Sequence, residues 1–319
     1  MKINLSHLYL LSPLHTGGAS QEGNLVGIAR ESHTELPYAP SSTVRGRLRA
    51  FTSEDLWKRL ILFGPDLNDL KKPTPDDIEK EKDAEKLKRL EALKKLHETY
   101  ESENNDKKLT QLEQGNIWVG DASILWMPVS SLSHGVVWVS CPLLLKRWAR
   151  ISGVTAAIPT GYETNLDKTK PIYLKDAILR PNNGENKLWD NPAQKWQDWQ
   201  TFGLDNSHTD SIQQVLVLPD AHCKTLIQMS LWRQVKIKLD EHKTVDGGFR
   251  YEEAIPPDTL MYFPWGTTTQ SNGQTKKAKE AFLKLLNDCD ILQLGGQESL
   301  GRGFVQQWPI KVETANPSK

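Results

Sequence analysis

Pro37-Tyr38-Ala39-Pro40-Ser41-Ser42-Thr43-Val44-Arg45-Gly46-Arg47-Leu48-Arg49 is a turn running into a helix start. Pro40 is followed by hydroxyl side chains that can cap the first backbone N–H groups. Val44, Leu48, Phe51, Leu56 and Leu60 then fall at helical spacing, which predicts one helix over Val44 to Leu60. Upstream, Lys2 to Leu11 reads as a strand, with Ile3, Leu5, Tyr9 and Leu11 alternating with Asn4 and Ser6. Pro13 ends it, and a glycine-rich loop covers His15 to Gly23. Downstream, strand character returns at Ile117–Val119 and Ser123–Met127, and an apolar run from Val136 to Leu145 is interrupted by Cys141-Pro142. Turn residues surround Ile172–Leu179 and suggest an extended hairpin, while Leu188 to Asp210 has no clear period. Within Leu226 to Leu239, Val235, Ile237 and Leu239 take one face and Gln234, Lys236 and Lys238 the other. Ala278, Phe282, Leu285 and Leu286 make Lys276 to Leu286 an amphipathic helix. Ile291–Leu294, a glycine loop and a strand from Phe304 follow. Strands mixed with only three or four helices, without an internal repeat, make the fold class α+β rather than doubly wound α/β.

The chain has 319 residues, with 40 basic and 40 acidic side chains. Its length suits one large or two ordinary domains of ~100–200 residues. Zero net charge excludes a histone-like basic protein and an acidic tail protein, but a sum does not say where charges lie. Residues 66–115 carry 14 acidic and 11 basic side chains, leaving 26 and 29 for the rest. Ala84, Leu87, Leu90, Leu93 and Leu96 recur there among Lys and Glu, so the segment reads as a charged, mostly helical insertion on a host fold. Docking of a neighbouring subunit is its other reading. The three cysteines, Cys141, Cys223 and Cys289, are too sparse for a disulfide framework or a CxxC zinc pattern, which points to a reducing cytoplasm. No apolar run approaches the ~18 residues of a membrane helix, and the amino terminus is not expected to be a signal peptide. The eleven tryptophans are expected in core and interface packing rather than base stacking.

Two elements could hold phosphate. Gly295-Gly296-Gln297-Glu298-Ser299-Leu300-Gly301-Arg302-Gly303-Phe304 lets backbone approach a ligand closely, and successive N–H groups in such loops can cradle an anion; a structural turn is the other reading. No helix follows the glycines and no Gly-Lys-Ser/Thr closes them, so the loop is neither a dinucleotide fingerprint nor a P-loop. The helix start at Ser41 and Ser42 offers unpaired N–H groups, and Arg45 and Arg49 share a face while Arg47 points elsewhere. A solvated arginine face reads the same pattern. His15 and His33 flank the first glycine loop, whose nearby acids are Glu22, Glu31 and Glu35. No HExxH, GxSxG or clustered Asp motif is present.

In their order, these elements resemble the RAMP superfamily of CRISPR effector proteins, most nearly the repeated backbone subunit of type III-B (Cmr) complexes. Leu14-His15-Thr16-Gly17 is similar to the family's first-strand exit, and Ile28-Ala29-Arg30-Glu31-Ser32-His33-Thr34 to its P-I-x-R-E-x-H-T stretch. Pro37 to Arg49 resembles P-x-I-P-G-S-S-L-K-G-x-L-R. Trp118–Ala122, Pro128–Ser131, Trp138–Pro142, Thr244–Leu260 and Leu292–Gly303 match in spacing.

The resemblance implies a single RAMP domain over 1–319. It has a ferredoxin-like (RRM-like) core, a β-hairpin thumb placed within Thr155–Pro181, and the insertion at 66–115. Function would be binding of crRNA in a type III effector. Ser41, Ser42, Arg45, Arg47, Arg49, Gly295, Gly296, Gly301, Arg302 and Gly303 would hold backbone phosphates. The implied partners are crRNA, complementary target RNA, neighbouring copies or related RAMP subunits, and the large polymerase-like and small helical subunits, with no membrane. Active members carry an aspartate in the loop before P-I-x-R; counting back from Arg30, that position is Leu25, and no Asp occurs between Met1 and Glu54. A leucine positions neither metal nor water. Weak or absent RNA cleavage is therefore expected. His15, Glu22 and Glu252 are the remaining catalytic candidates, and no metal site is assigned. Binding would need no cofactor, and a divalent metal would enter only with cleavage. The alternatives are an active metal-dependent endoribonuclease using Glu22 or Asn24, and a CRISPR-unrelated protein that binds a phosphate ligand.

Overall fold

The structure, a computed structural model, describes residues 3–22, 25–181, 196–269 and 275–310. Along the chain run β1 (Asn4–Leu10), β2 (Gly17–Glu22), β3 (Leu25–Ile28), β4 (Tyr38–Ala39), α1 (Ser41–Ala50), α2 (Leu56–Phe63), α3 (Pro75–Lys80) and α4 (Ala84–Glu103). Next come β5 (Ile117–Val119), β6 (Ala122–Ser131), β7 (Gly135–Ser140), α5 (Pro142–Ser152), β8 (Glu163–Thr164), β9 (Ile172–Tyr173), β10 (Ile178–Leu179) and β11 (Val215–Val217). The last are α6 (Asp220–Met229), β12 (Trp232–Leu239), β13 (Val245–Ala254), β14 (Leu260–Thr267), α7 (Thr275–Asp288), β15 (Ile291–Gln293) and β16 (Phe304–Ile310). The mixture is α+β, as the pattern of strands and helices indicated. Its residues group into two compact units, one holding Arg45–Val119 and Trp265–Cys289, the other Ile3–Val44, Gly120–Pro264 and the chain from Asp290.

In the helical unit, the single helix expected over Val44 to Leu60 is two. Thr52 Oγ1 donates to the Arg49 carbonyl at 2.7 Å, and Asp55 caps the next helix by accepting the Lys58 N–H at 2.9 Å. Local side-chain bonds thus offer the backbone an alternative to a continuing ladder. Phe51, expected to be buried, is left exposed. Leu56, Leu60, Leu93, Leu96, Tyr100 and Leu109 form one core, and Trp265 and Phe63 meet Phe282 edge-on at 4.8 and 6.1 Å. Of the spaced residues in the 66–115 segment, Leu93 and Leu96 are buried, Leu87 and Leu90 are half-buried and Ala84 is exposed. Only the second half of α4 carries a packing face.

In the other unit the large sheet runs β15-β16-β1-β14-β6-β7-β11-β8, with β4 on β6. In this sheet β7 and β11 run parallel; α5 makes their crossover, starting with Pro142 in its first turn and stopping at Gly153 with φ 81°. Leu5, Tyr9, Trp126, Trp138, Trp148, Phe202 and Trp308 pack the core beside it, so these tryptophans are packing residues. A second sheet runs β12-β13-β3-β2. Within Thr155–Pro181, where the sequence suggested a long hairpin, β9 and β10 pair over just two residues each, and β8 joins β11 instead. The extended hairpin is β12–β13, paired from Trp232↔Ala254 to Leu239↔Val245.

His7 lies buried among Trp148 and Trp308, stacked on the first at 6.2 Å and edge-on to the second at 5.4 Å. Burial pushes its pKa down from 6.5 to about 3. The unfolded chain therefore binds a proton that the folded chain refuses between those two values, and acid favours unfolding across that window. Denaturant unfolding at pH 7.5 and pH 4.5 should show the wild type losing about 2.5 kcal/mol more than His7→Gln. An equal loss in both would place the acid sensitivity elsewhere.

Candidate functional site

β13 carries two consecutive carboxylates, Glu252 and Glu253, and strand geometry sends them to opposite faces. Both are buried, with 1% of each side chain exposed. Lys236 Nζ lies 2.8 Å from Glu252, Arg302 Nη1 2.9 Å and Arg250 Nη2 3.0 Å. Arg30 Nη2 lies 2.6 Å from Glu253 and Arg233 Nε 2.9 Å. Burial alone would raise the Glu252 pKa, but Lys236, Gln297 and Arg302 outweigh it and hold the carboxyl below its ordinary value. A carboxylate fixed in its charged form by three cations does not exchange protons near neutrality. Glu252, a catalytic candidate in the sequence, is therefore held as an ion-paired anion in the structure.

His15 is pinned to the same strand. Its Nδ1 donates to the Glu253 carbonyl at 2.7 Å, because a carbonyl oxygen can only accept. The C-terminal loop closes over this point. The Gly296 N–H donates to the His15 carbonyl at 3.0 Å, and the Gly303 N–H donates to the Pro13 carbonyl at 3.0 Å. Gly295 has φ 75°, and a Cβ there would stand 2.3 Å from the His15 oxygen. Gly303 has φ 77°, and its Cβ would stand 1.9 Å from the Leu294 oxygen. The Gly301 N–H donates to the Glu298 carbonyl at 2.8 Å, with open space beside its Cα. The amides of Gly296, Gly301 and Gly303 are thus used on protein carbonyls, and the phosphate cradle expected here is a brace between backbone segments. Arg302, expected at a phosphate, is 4% exposed and turned inward onto Glu252, Gln234 and Gln297, with its guanidinium 4.5 Å from the centre of the Trp232 ring.

The arginine helix keeps more of its expected character. The Ser41 N–H already donates to Asp121 Oδ1 at 2.6 Å, so a carboxylate occupies that N-terminus, while Ser42 is exposed. Arg45 donates to the Phe63 carbonyl and lies over the Phe63 ring. Burial and then the neighbouring Arg49 push its pKa below the ordinary value. Arg49 stands 3.6 Å from Asp66 and 3.9 Å from Asp69, and Arg47 lies 5.1 Å over exposed Phe51. Arg47 Nε and Arg49 Nη2 have no hydrogen-bond partner among the described residues. Both nitrogens are buried, and Arg49 Nη2 is the atom that faces Asp66 and Asp69, so neither is a donor open to solvent.

Sequence reasoning missed the β12–β13 arm. Val235↔Tyr251, Ile237↔Phe249 and Leu239↔Val245 are opposed pairs, so six apolar side chains share one face, each 42–60% exposed. Phe249 and Tyr251 meet edge-on at 5.5 Å. Lys236 and Arg250 oppose each other on the reverse face. Asp240 closes the turn by accepting the Thr244 and His242 N–H groups, each at 2.9 Å. The alternation was visible in the sequence; that its apolar side faces outward was not.

Leu25 opens β3 and pairs with Tyr251, with Val26 beside Glu252. Glu22 ends β2, and Asn24 lies outside the described residues. Leucine offers no side-chain oxygen ligand and Glu252 is already paired with cations, so neither Leu25 nor Glu252 fits a metal ion as placed. Among the described residues no group of three or more His, Cys, Asp or Glu could hold one, and no helix is long and apolar enough to cross a membrane.

Comparison with known proteins follows the same lines. The profile of the RAMP superfamily matches residues 7–306. A curated relative from Pyrococcus furiosus, named CRISPR system Cmr endoribonuclease Cmr4, is 27% identical over 325 residues, covering 96% of this chain and 95% of that protein. The crystal structure of oligomeric Cmr4 from Pyrococcus furiosus has TM-score 0.63 at 22% identity, covering 98% of this chain and 100% of that one. A chain in the cryo-EM structure of the type III-B Cmr-beta complex bound to cognate target RNA has TM-score 0.63 at 19% identity, covering 97% of each. These two structures share the fold.

A loop that braces backbone should tolerate a side chain only where there is room. Gly301→Ala should cost about 1 kcal/mol, from positive φ alone. Gly303→Ala should cost more than about 3 kcal/mol, because strain and overlap add. Chemical denaturation of both variants checks this, and equal costs would refute the brace.

Proposed function

The chain belongs to the RAMP superfamily, and on that premise we propose that it is a crRNA-binding backbone subunit of a type III-B CRISPR effector complex. The end-to-end correspondence with the Pyrococcus furiosus relative carries this reading. A single RAMP domain runs through both compact units, consistent with the extent of the profile match. The core is ferredoxin-like: β1, α1, β6, β14, α7 and β16 follow one another in the chain, and the strand order β16-β1-β14-β6 supports that assignment. The thumb is the β12–β13 hairpin rather than Thr155–Pro181, supported by its length and its outward apolar face.

In this reading Ser42, Arg47 and Arg49 grip guide phosphates, with Arg45 holding the helix that presents them. Phe249 and Tyr251 offer ring faces and edges to bases, a sequence-tolerant contact. Such contacts position RNA, while pairing between guide and target supplies sequence specificity. Target RNA, neighbouring copies of this or related subunits, and the larger and smaller subunits of the effector are its partners. The subunit does not itself cut RNA, because Leu25 stands where active members of the family carry an acid and Glu252 is held as a structural anion.

Native purification should yield small RNA of uniform length, and an RNA-free protein would sink the proposal. Assembled with guide, the wild type should leave complementary RNA intact in magnesium or manganese, and Leu25→Asp should introduce metal-dependent cuts. Regularly spaced cuts by the wild type would establish an active nuclease instead.

A further inference from the structure

Arg302 does something other than bind phosphate. Its side chain is 5% exposed, and its fork is divided among three elements. Nη1 donates to Glu252 on β13 at 2.9 Å and to the side-chain oxygen of Gln297 in its own loop. Nη2 donates to Gln234 on β12 at 2.7 Å. Gln234 and Glu252 are directly opposed across the hairpin, so one guanidinium bridges a cross-strand pair while lying over Trp232, two residues away on the same strand. Beyond that point the arm has little support. β3 reaches only Tyr251 and Glu252, and residues 237–251 are exposed throughout. A two-stranded ribbon alone is marginal in water. The direction of this arm is therefore set at its root.

The root is anchored in turn. The loop carrying Arg302 is bonded to Pro13 and His15, and its Gln293 side chain donates to the Arg302 carbonyl at 3.2 Å. Glu252 is in register with Val26, one residue from Leu25. The same guanidinium thus joins the thumb hairpin to the C-terminal brace, at a residue, Glu252, whose backbone pairs with β3.

We propose that Arg302 is a positioning residue that latches the β12–β13 arm in the direction needed to engage RNA, and that it touches no phosphate itself. The RNA half of this rests on the function proposed above; the latch does not. Planarity is essential, because stacking on Trp232 while reaching Glu252, Gln234 and Gln297 needs a fork rather than a point charge. Lysine therefore should not substitute.

The test uses the full chain with nitroxide labels at Lys243→Cys, at the arm's turn, and Leu132→Cys, in the exposed β6–β7 turn; Cys141, Cys223 and Cys289 are buried and stay unlabelled. Pulsed dipolar spectroscopy should give a narrow distance distribution for the wild type and one at least about twofold broader for Arg302→Lys and Arg302→Gln. RNA affinity measured against salt should fall about tenfold with an unchanged salt slope, whereas loss of a phosphate contact lowers the slope by about 0.7. An unchanged distance distribution, full rescue by lysine, or a slope that falls overturns the proposal. If the Arg302 variants fail to fold, Gln234→Ala removes one arm of the fork and should broaden the distribution in the same sense; an unchanged width then rejects the latch. If the wild type binds no RNA, the proposed function fails while the distance measurement still decides the latch.

Discussion

Two adjacent carboxylates at the buried end of one strand constrain the rest of this structure. Glu252 and Glu253 point to opposite faces of β13, and neither can be left unpaired away from water. Lys236, Arg250 and Arg302 gather on the first, Arg30 and Arg233 on the second. Those cations come from β12, from β13 itself, from the C-terminal loop and from the segment after β3. Satisfying two charges therefore joins the hairpin root, the brace and the β2–β3 ribbon at one point. His15 adds a third tie through the Glu253 carbonyl.

That arrangement changes what the charge balance means. Equal numbers of acids and bases look featureless as a sum. In the fold, Arg302, the most suggestive arginine of the glycine loop, is used internally, while Arg47 and Arg49 are half-buried on α1, Arg49 beside Asp66 and Asp69. On the function proposed above, the RNA grip comes from a few residues on α1 and from an apolar arm, not from a basic surface. Such a subunit holds RNA locally and shares the electrostatic work with its neighbours.

The α+β class, the strand beginning near Asn4, the C-terminal glycine loop and the helices of the charged 66–115 segment were legible in the sequence, because each rests on periodicity or on glycine and proline placement; the loop expected over His15 to Gly23 is instead largely a strand, β2 (Gly17–Glu22), paired with β3. Three features were not. The break between α1 and α2 depends on Thr52 bonding the Arg49 carbonyl, and apolar spacing runs straight across it. The arm at Trp232–Ala254 has the same alternation as a half-buried strand, so period alone does not show that Val235 and Ile237 face outward. Arg302 reads as a loop cation until its partners are known, and Glu252, Gln234 and Trp232 lie 50 or more residues away. Conversely, the family resemblance implied that the acidic position falls at Leu25, and the structure adds that the nearby Glu252 is already paired with cations.

A structure of the chain assembled with guide and target RNA tests the central claim most directly. Phosphates should lie against Arg47 and Arg49, bases against Phe249 and Tyr251, and Arg302 should remain on Glu252 with no phosphate in contact. A phosphate bound to Arg302, with Glu252 released toward a metal ion beside β3, would contradict the account.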